Sequence, residues 1–186
     1  PVKDLFNQIL DETQAVLIIT TGTAGAVFKE QDLGDVVVTR GAKFRLQQEF
    51  RDAPFNGKEY RSNWQVKTTH FAKAIELMSG FKDQIADPEF LPPTVNYAPT
   101  DHLPKPVHAN TPDIRLDGID MPAFHPILTT DYFEFGTSVN HLEQIGCAVE
   151  MGDAALGLAV EERATEGTSG PHWLVIRNFS DPQING

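Results

Sequence analysis

Within a dozen residues, 148–159 (AVEMGDAALGLA), the chain changes its period. The first half is apolar and extended, whereas Ala154, Ala155, Leu158 and Ala159 fall at helical spacing, so a strand passes directly into a helix. Elements of both kinds must bury an apolar side against one another, which points to a layered α/β domain. Glu150 and Asp153 sit at the junction. In open α/β sheets ligands bind at the carboxyl ends of strands, facing helix N-termini, so a carboxylate pair is well placed there for polar substrate groups. Taken alone, Asp153 reads as a helix cap that complements the dipole. Glu150 lies between Val149 and Met151, where a carboxylate is costly to bury without a partner, and it reads as functional.

In chain order, Val2, Leu5, Phe6, Ile9 and Leu10 predict an amphipathic helix that ends near residues 11–13. Residues 15–21 (AVLIITT) predict a central strand covered on both faces, and the small-residue run 22–26 (GTAGA) predicts a loop at its carboxyl end. Only eight residues separate Gly25 from Gly34, too few for the helix of a dinucleotide site, and no phosphate loop ending in Gly-Lys-Ser/Thr is present. Residues 35–44 (DVVVTRGAKF) predict one further strand, and 45–62 an irregular surface loop or flap. Phe71, Ala74, Ile75, Met78 and Phe81 make a helical stripe, capped at Thr68 or Thr69 and ending near Gly80. Nine prolines between residues 87 and 126 exclude long regular elements there. Residues 127–130 predict a short strand, followed by the aromatic and acidic run Tyr132, Phe133, Glu134 and Phe135. Residues 136–138 supply N-cap candidates for a helix through Leu142 and Ile145, closed by Gly146. A last strand over 173–176 delivers Arg177 and then Ser180 and Asp181 at its carboxyl end.

A chain of 186 residues predicts one domain, 1–186, with the Pro-rich stretch 87–126 as an insert. A net charge of −11 without any Lys/Arg cluster argues against nucleic acid and against an anionic membrane as partners. The longest purely apolar run is too short to span a bilayer, and the single Cys147 reads as a buried core residue in a reducing, cytoplasmic setting. His102, His108 and His125 match no metal-ligand spacing, and no metal or organic cofactor is implied.

The segments IITTGTAGAV with LGDVVVT, TTDYFEFGTS, AVEMGDAALGLA and VIRNFSD, in that order, resemble the purine nucleoside phosphorylase and nucleosidase superfamily, which includes methylthioadenosine/S-adenosylhomocysteine nucleosidase. The resemblance implies a three-layer α/β/α sandwich around a central mixed, partly closed sheet, with one active site at the strand ends. It implies that Thr23, Ala24 and Gly25 lie where water or phosphate meets the sugar, and that Phe133 stacks on the base. Glu150 and Met151, with Val149 and Asp153 beside them, would hold the ribose. Asp181, flanked by Ser180, would be the acid at the purine ring nitrogen. Breaking the glycosidic bond builds positive charge on the sugar and negative charge on the departing base, so an acid near the base and partners for the ribose lower the barrier. A free aspartate has a pKa of about 3.9, so that role requires desolvation or a hydrogen bond to the purine itself.

The chain departs from the family pattern at three places. Gly152 stands where the family has a second glutamate, leaving Asp153 to substitute for it or ribose binding to be altered. Relative to the family, the chain also begins at a helix placed midway and stops just after Asp181, so the first strands and the final helix are expected to be missing. Thr20 stands where phosphorylases often carry a phosphate-binding arginine. The leading expectation is therefore a purine nucleosidase, an N-glycosidic hydrolase using water, with Asp181 and Glu150 as catalytic residues. The alternatives are a phosphorylase, a glycosyltransferase with phosphate as co-substrate, and a non-catalytic nucleoside-binding regulatory domain. The expected partner is a small-molecule purine nucleoside, in a homo-oligomer that is open to fusion with further domains.

Overall fold

A one-residue link decides the shape of the sheet. In the computed structural model, which describes residues 2–29, 31, 34–63, 68–81, 125–134, 139–167 and 170–181, the order is α1 (Val2–Thr13), β1 (Leu17–Ala26), β2 (Val36–Thr39), β3 (Gly41–Phe44), β4 (Glu59–Arg61), α2 (Thr68–Phe81), β5 (Ile127–Thr129), a 3-10 turn (Leu142–Gln144), β6 (Ala148–Glu150), α3 (Asp153–Thr165) and β7 (His172–Asp181). The strands form one sheet in the order β2-β7-β1-β6-β5-β3-β4. Only Arg40 separates β2 from β3, a link of two Cα steps that reaches less than about 8 Å. Laid flat, first and sixth places in a sheet are about 24 Å apart at the usual strand spacing. The sheet therefore curls until its two ends approach one another. β1 and β7 are parallel, as are β3, β5 and β6, while β2, β4 and the β1–β6 contact are antiparallel. The result is a curled mixed sheet flanked by helices in a three-layer α/β/α arrangement, with α3 packed on β3, β4 and β5 and α1 packed on α3.

The core follows from composition at the α3 surface. Ala154, Ala155, Leu156, Gly157 and Ala159 are all buried, so the helix backbone lies close to the sheet and meets Trp173, Val175, Ile127 and Ala148. A Cβ added to Gly157 would come within 2.5 Å of Tyr60 Cβ, which is why this turn of the helix carries no side chain.

Several elements differ from expectation. Residues 22–26 are not a loop: β1 runs through them, because β7 pairs along one side to Asp181 and β6 takes Gly25 and Ala26 on the other. β1 is an interior strand but is not covered on both faces, since Leu17 and Ile19 remain 39% and 49% exposed. The stretch read as one strand over 35–44 is two, broken at Arg40, where the Gly41 amide turns to Thr39 Oγ1 at 3.2 Å. The polar stretch 45–62 contains β4, recruited as the antiparallel partner of β3. The helix expected around Leu142 is a single 3-10 turn entered through His141 in the left-handed region (φ 52°). β7 has ten residues against the four expected, so Arg177 lies inside the strand and Asp181 is its last residue. Helix α2 forms where its stripe predicted, and Cys147 is buried, as expected. The stripe's side chains, the caps at 136–138, His102, His108 and nearly all of the Pro-rich stretch lie outside the described residues. No helix among the described residues is long and apolar enough to cross a membrane.

Candidate active site

At the carboxyl ends of β1 and β7 the register of the sheet breaks. β1 and β7 pair one to one as far as Ala24–Phe179, then shift so that Gly25 faces Asp181 and Ser180 is the extra residue of a bulge. Bulges re-aim side chains and end pairing. Here the shift leaves a cavity of about 400 Å³ between the bulge and the end of β6. Its walls include Thr23, Ala24, Gly25, Phe133, Val149, Glu150, Met151 and Asp181, eight of the ten residues singled out from the sequence. The other two stand behind it. Ser180 is exposed, and its Oγ donates to Asp181 Oδ2 at 2.8 Å. Asp153 is 1% exposed and reaches the cavity only through Arg177.

Sequence reasoning assigned the cap of α3 to Asp153, but it is Glu150 that makes it. The Glu150 carboxylate accepts the backbone N–H groups of Gly152 and Asp153 and so caps α3. It also accepts the Thr129 hydroxyl, whose oxygen in turn takes the Ala154 N–H at 2.8 Å. Asp153 caps nothing: Oδ2 accepts Arg177 Nε–H at 2.9 Å and Oδ1 accepts Nη2–H at 2.6 Å. Side-on bidentate pairing of this kind is the strong form of the Arg–carboxylate contact. Glu150 Oε2 lies 3.6 Å from Nη2, so one guanidinium serves two buried carboxylates. Burial and then the charge of Asp153 push Glu150 up to about 7, against the Thr129 hydroxyl and the two backbone N–H groups, which favour its charged form. Burial works against the Arg177 charge as well, but Asp153 and Glu150 outweigh it and raise its pKa.

Arg177 fits only because Gly22, its partner in the β1–β7 register, has no side chain. A Cβ there would lie 2.2 Å from Nη1, and the three atoms nearest to it all belong to Arg177. Gly22→Ala is therefore expected to displace the guanidinium and cost about 1–3 kcal/mol in urea unfolding. In an Arg177→Ala background the same change should cost less, leaving only the backbone strain of a side chain at φ 158°; an equal cost would show that the guanidinium is not what it displaces.

The opposite wall is a second polar cluster. Arg45 donates to the Tyr132 hydroxyl and to Glu134, Tyr132 bonds Glu134 as well, and Asn140 Nδ2 donates to Glu134 Oε1 at 2.7 Å. The Glu134 side chain is nearly inaccessible, and this cluster fixes the segment that presents Phe133, itself 56% exposed. Phe133 and Met151 offer apolar surface at the cavity, while Glu150 and Asp181 supply carboxyl groups: a flat ring and a polar partner are what such a site accommodates. Tyr132 and Glu134, from the aromatic and acidic run that sequence offered as a pocket wall or as core under a loop, also line the cavity, as do Arg177, Thr130 and Gly152, which were not singled out as site residues. For Arg177 a signal was present, a lone cation four residues before Asp181 in an apolar strand. No cluster among the described residues is suited to hold a metal ion.

No protein-family model and no curated protein sequence matches this chain. Solved structures do share its fold. It is similar to the methylthioadenosine/S-adenosylhomocysteine nucleosidase of Colwellia psychrerythraea 34H in complex with adenine, with a TM-score of 0.54 and 17% identity over 98% of this chain and 61% of that one. The S-adenosylhomocysteine nucleosidase of Streptococcus pyogenes in complex with 5-methylthiotubericidin gives 0.51 and 19% over 97% and 61%. Futalosine hydrolase of Helicobacter pylori gives 0.51 and 14% over 96% and 63%. The chain thus spans less than two thirds of the length of each of these proteins.

Proposed function

We propose that this chain carries the active site of a purine nucleosidase, which hydrolyses the N-glycosidic bond of a purine nucleoside. The observation that carries the reading is the meeting of Glu150, Asp181, Phe133 and Met151 around one cavity, in a fold shared with nucleoside-cleaving enzymes. In this reading the purine lies on Phe133 and the sugar lies between Thr23–Gly25 and Glu150–Met151. The C1′–N bond breaks with its electron pair going to the base, and Asp181 gives the base a proton. A water oxygen bonds to C1′, and Glu150 takes the water's proton. Solvent returns that proton to Asp181, so the net change is addition of one water across the bond. Glu150, with its pKa pushed up to about 7, is suited to exchange a proton at neutral pH.

Charge favours water over phosphate. A phosphate dianion needs an uncompensated cation or aimed backbone donors, and Arg177, the basic residue among the described lining, is already held by Asp153 and lies near Glu150. The test is free-base release from a panel of purine nucleosides, in phosphate-free buffer and then with phosphate added. Release without phosphate is the expected result. Release only with phosphate makes the protein a phosphorylase, and binding without release in either buffer makes it a nucleoside-binding domain.

A further inference from the structure

The cavity's guanidinium is arranged to offer hydrogen bonds without net charge. Asp153 holds Arg177 through Nε and Nη2, Glu150 Oε2 stands 3.6 Å from Nη2, and Asp153 is too deeply buried for water to loosen the pair. Nη1, lying against the bare backbone of Gly22, has no hydrogen-bond partner among the described residues. Its donors suit a neutral oxygen, such as water or a sugar hydroxyl. An anion at the same place would find the positive charge cancelled by Asp153 and would add its repulsion with Glu150 and Asp181 on the same cavity.

We propose that Asp153 is a specificity-determining residue: by neutralising Arg177 it makes the cavity take water, and not inorganic phosphate, as the reactant at the sugar. The reactant assignment rests on the glycosidic-cleavage reading above, but the charge arrangement does not. Asp153 touches no substrate in this scheme and acts through Arg177. Its neighbour Gly152 has room for a side chain, the nearest atoms to an added Cβ being 3.7 and 3.8 Å away. The carboxylate stands one position along, at the first residue of α3, where it bonds Arg177.

The test is calorimetric titration of inorganic phosphate into the protein without any nucleoside. Asp153→Asn keeps the shape of the pair and removes its negative charge, and at pH 8, above the Glu150 pKa of about 7, Glu150→Gln removes the second carboxylate charge. Each is expected to tighten phosphate binding by about tenfold or more over the unaltered chain, and Arg177→Gln added to either should abolish the gain. Should Asp153→Asn fail to fold by circular dichroism, Asp153→Ser, which removes the same charge with a smaller side chain, decides the matter in its place. Unchanged phosphate affinity in the folded variants, a gain that survives Arg177→Gln, or binding by the unaltered chain as tight as by the variants would each overturn the proposal. Loss of the nucleosidase reading registers separately, as absence of base release while the phosphate gain persists.

Discussion

Replacing Asp181 by Asn is expected to slow free-base release by about 10²–10⁴-fold while changing nucleoside binding little, the usual scale for loss of a positioned acid. Asparagine has the shape of the aspartate and keeps an oxygen to accept from Ser180 Oγ, which now stands 2.8 Å from Oδ2, but it has no proton to transfer. The substitution also leaves the bulge intact, because Gly25 faces residue 181 through the backbone, and an added Cβ at Gly25 would still be 4.0 Å from Asp181 Cβ. Binding is measured by equilibrium titration with a purine nucleoside, and turnover by single-turnover base release. If turnover stays within about tenfold of the unaltered protein, the acid is not Asp181, and Glu150, pushed up to about 7 on the same cavity, takes its place as the candidate. Ser180→Ala separates positioning from proton transfer: it should have a much smaller effect than Asp181→Asn, since the carboxyl group itself remains.

The parts of this arrangement that were legible in the sequence are those set by local pattern. The change of period at residues 148–159 gave β6 and α3, and the apolar spacing of Val2 to Leu10 gave α1. Pairing set the rest. Residues 22–26 are glycine, alanine and threonine, which on their own favour a turn; they are extended because strands lie on both sides. The three residues of β4 become a strand only because β3 lies beside them. That Glu150 makes the cap while Asp153 pairs with Arg177 was hidden for a related reason. A carboxylate at a helix start reads as a cap until a cation arrives from elsewhere, and here Arg177 comes from 24 residues along the chain. The cluster of Arg45, Tyr132, Glu134 and Asn140 likewise joins three separate stretches, and only its Tyr132–Glu134 part adjoins in sequence.

Arg177→Met is expected to be the most destabilising single change at this site, costing about 3–5 kcal/mol above neutral pH, because it leaves two buried carboxylates without their cation. In a chain of this size that is a fall of roughly 6–20 °C in Tm. The loss should depend on pH with a definite sign. Glu150 already has a folded pKa near 7 against an ordinary value of 4.5, so its ionisation removes stability as pH rises from about 4.5 to about 7, and that stability is fully present below 4.5. Without Arg177 the charged form of Glu150 is disfavoured further, so the deficit relative to the unaltered protein should be largest at pH 8 and shrink towards pH 5. Urea unfolding at those two pH values checks both size and sign. An equal deficit at both would mean that the arginine contributes through its packed hydrocarbon stem and not through charge. Replacing both partners, Asp153→Leu with Arg177→Met, should recover much of the lost stability, because an apolar pair of similar volume is often no worse than a buried ion pair. Recovery of stability without recovery of base release would then separate the two roles of the pair: the fold needs the charges matched, whereas the site needs the guanidinium itself.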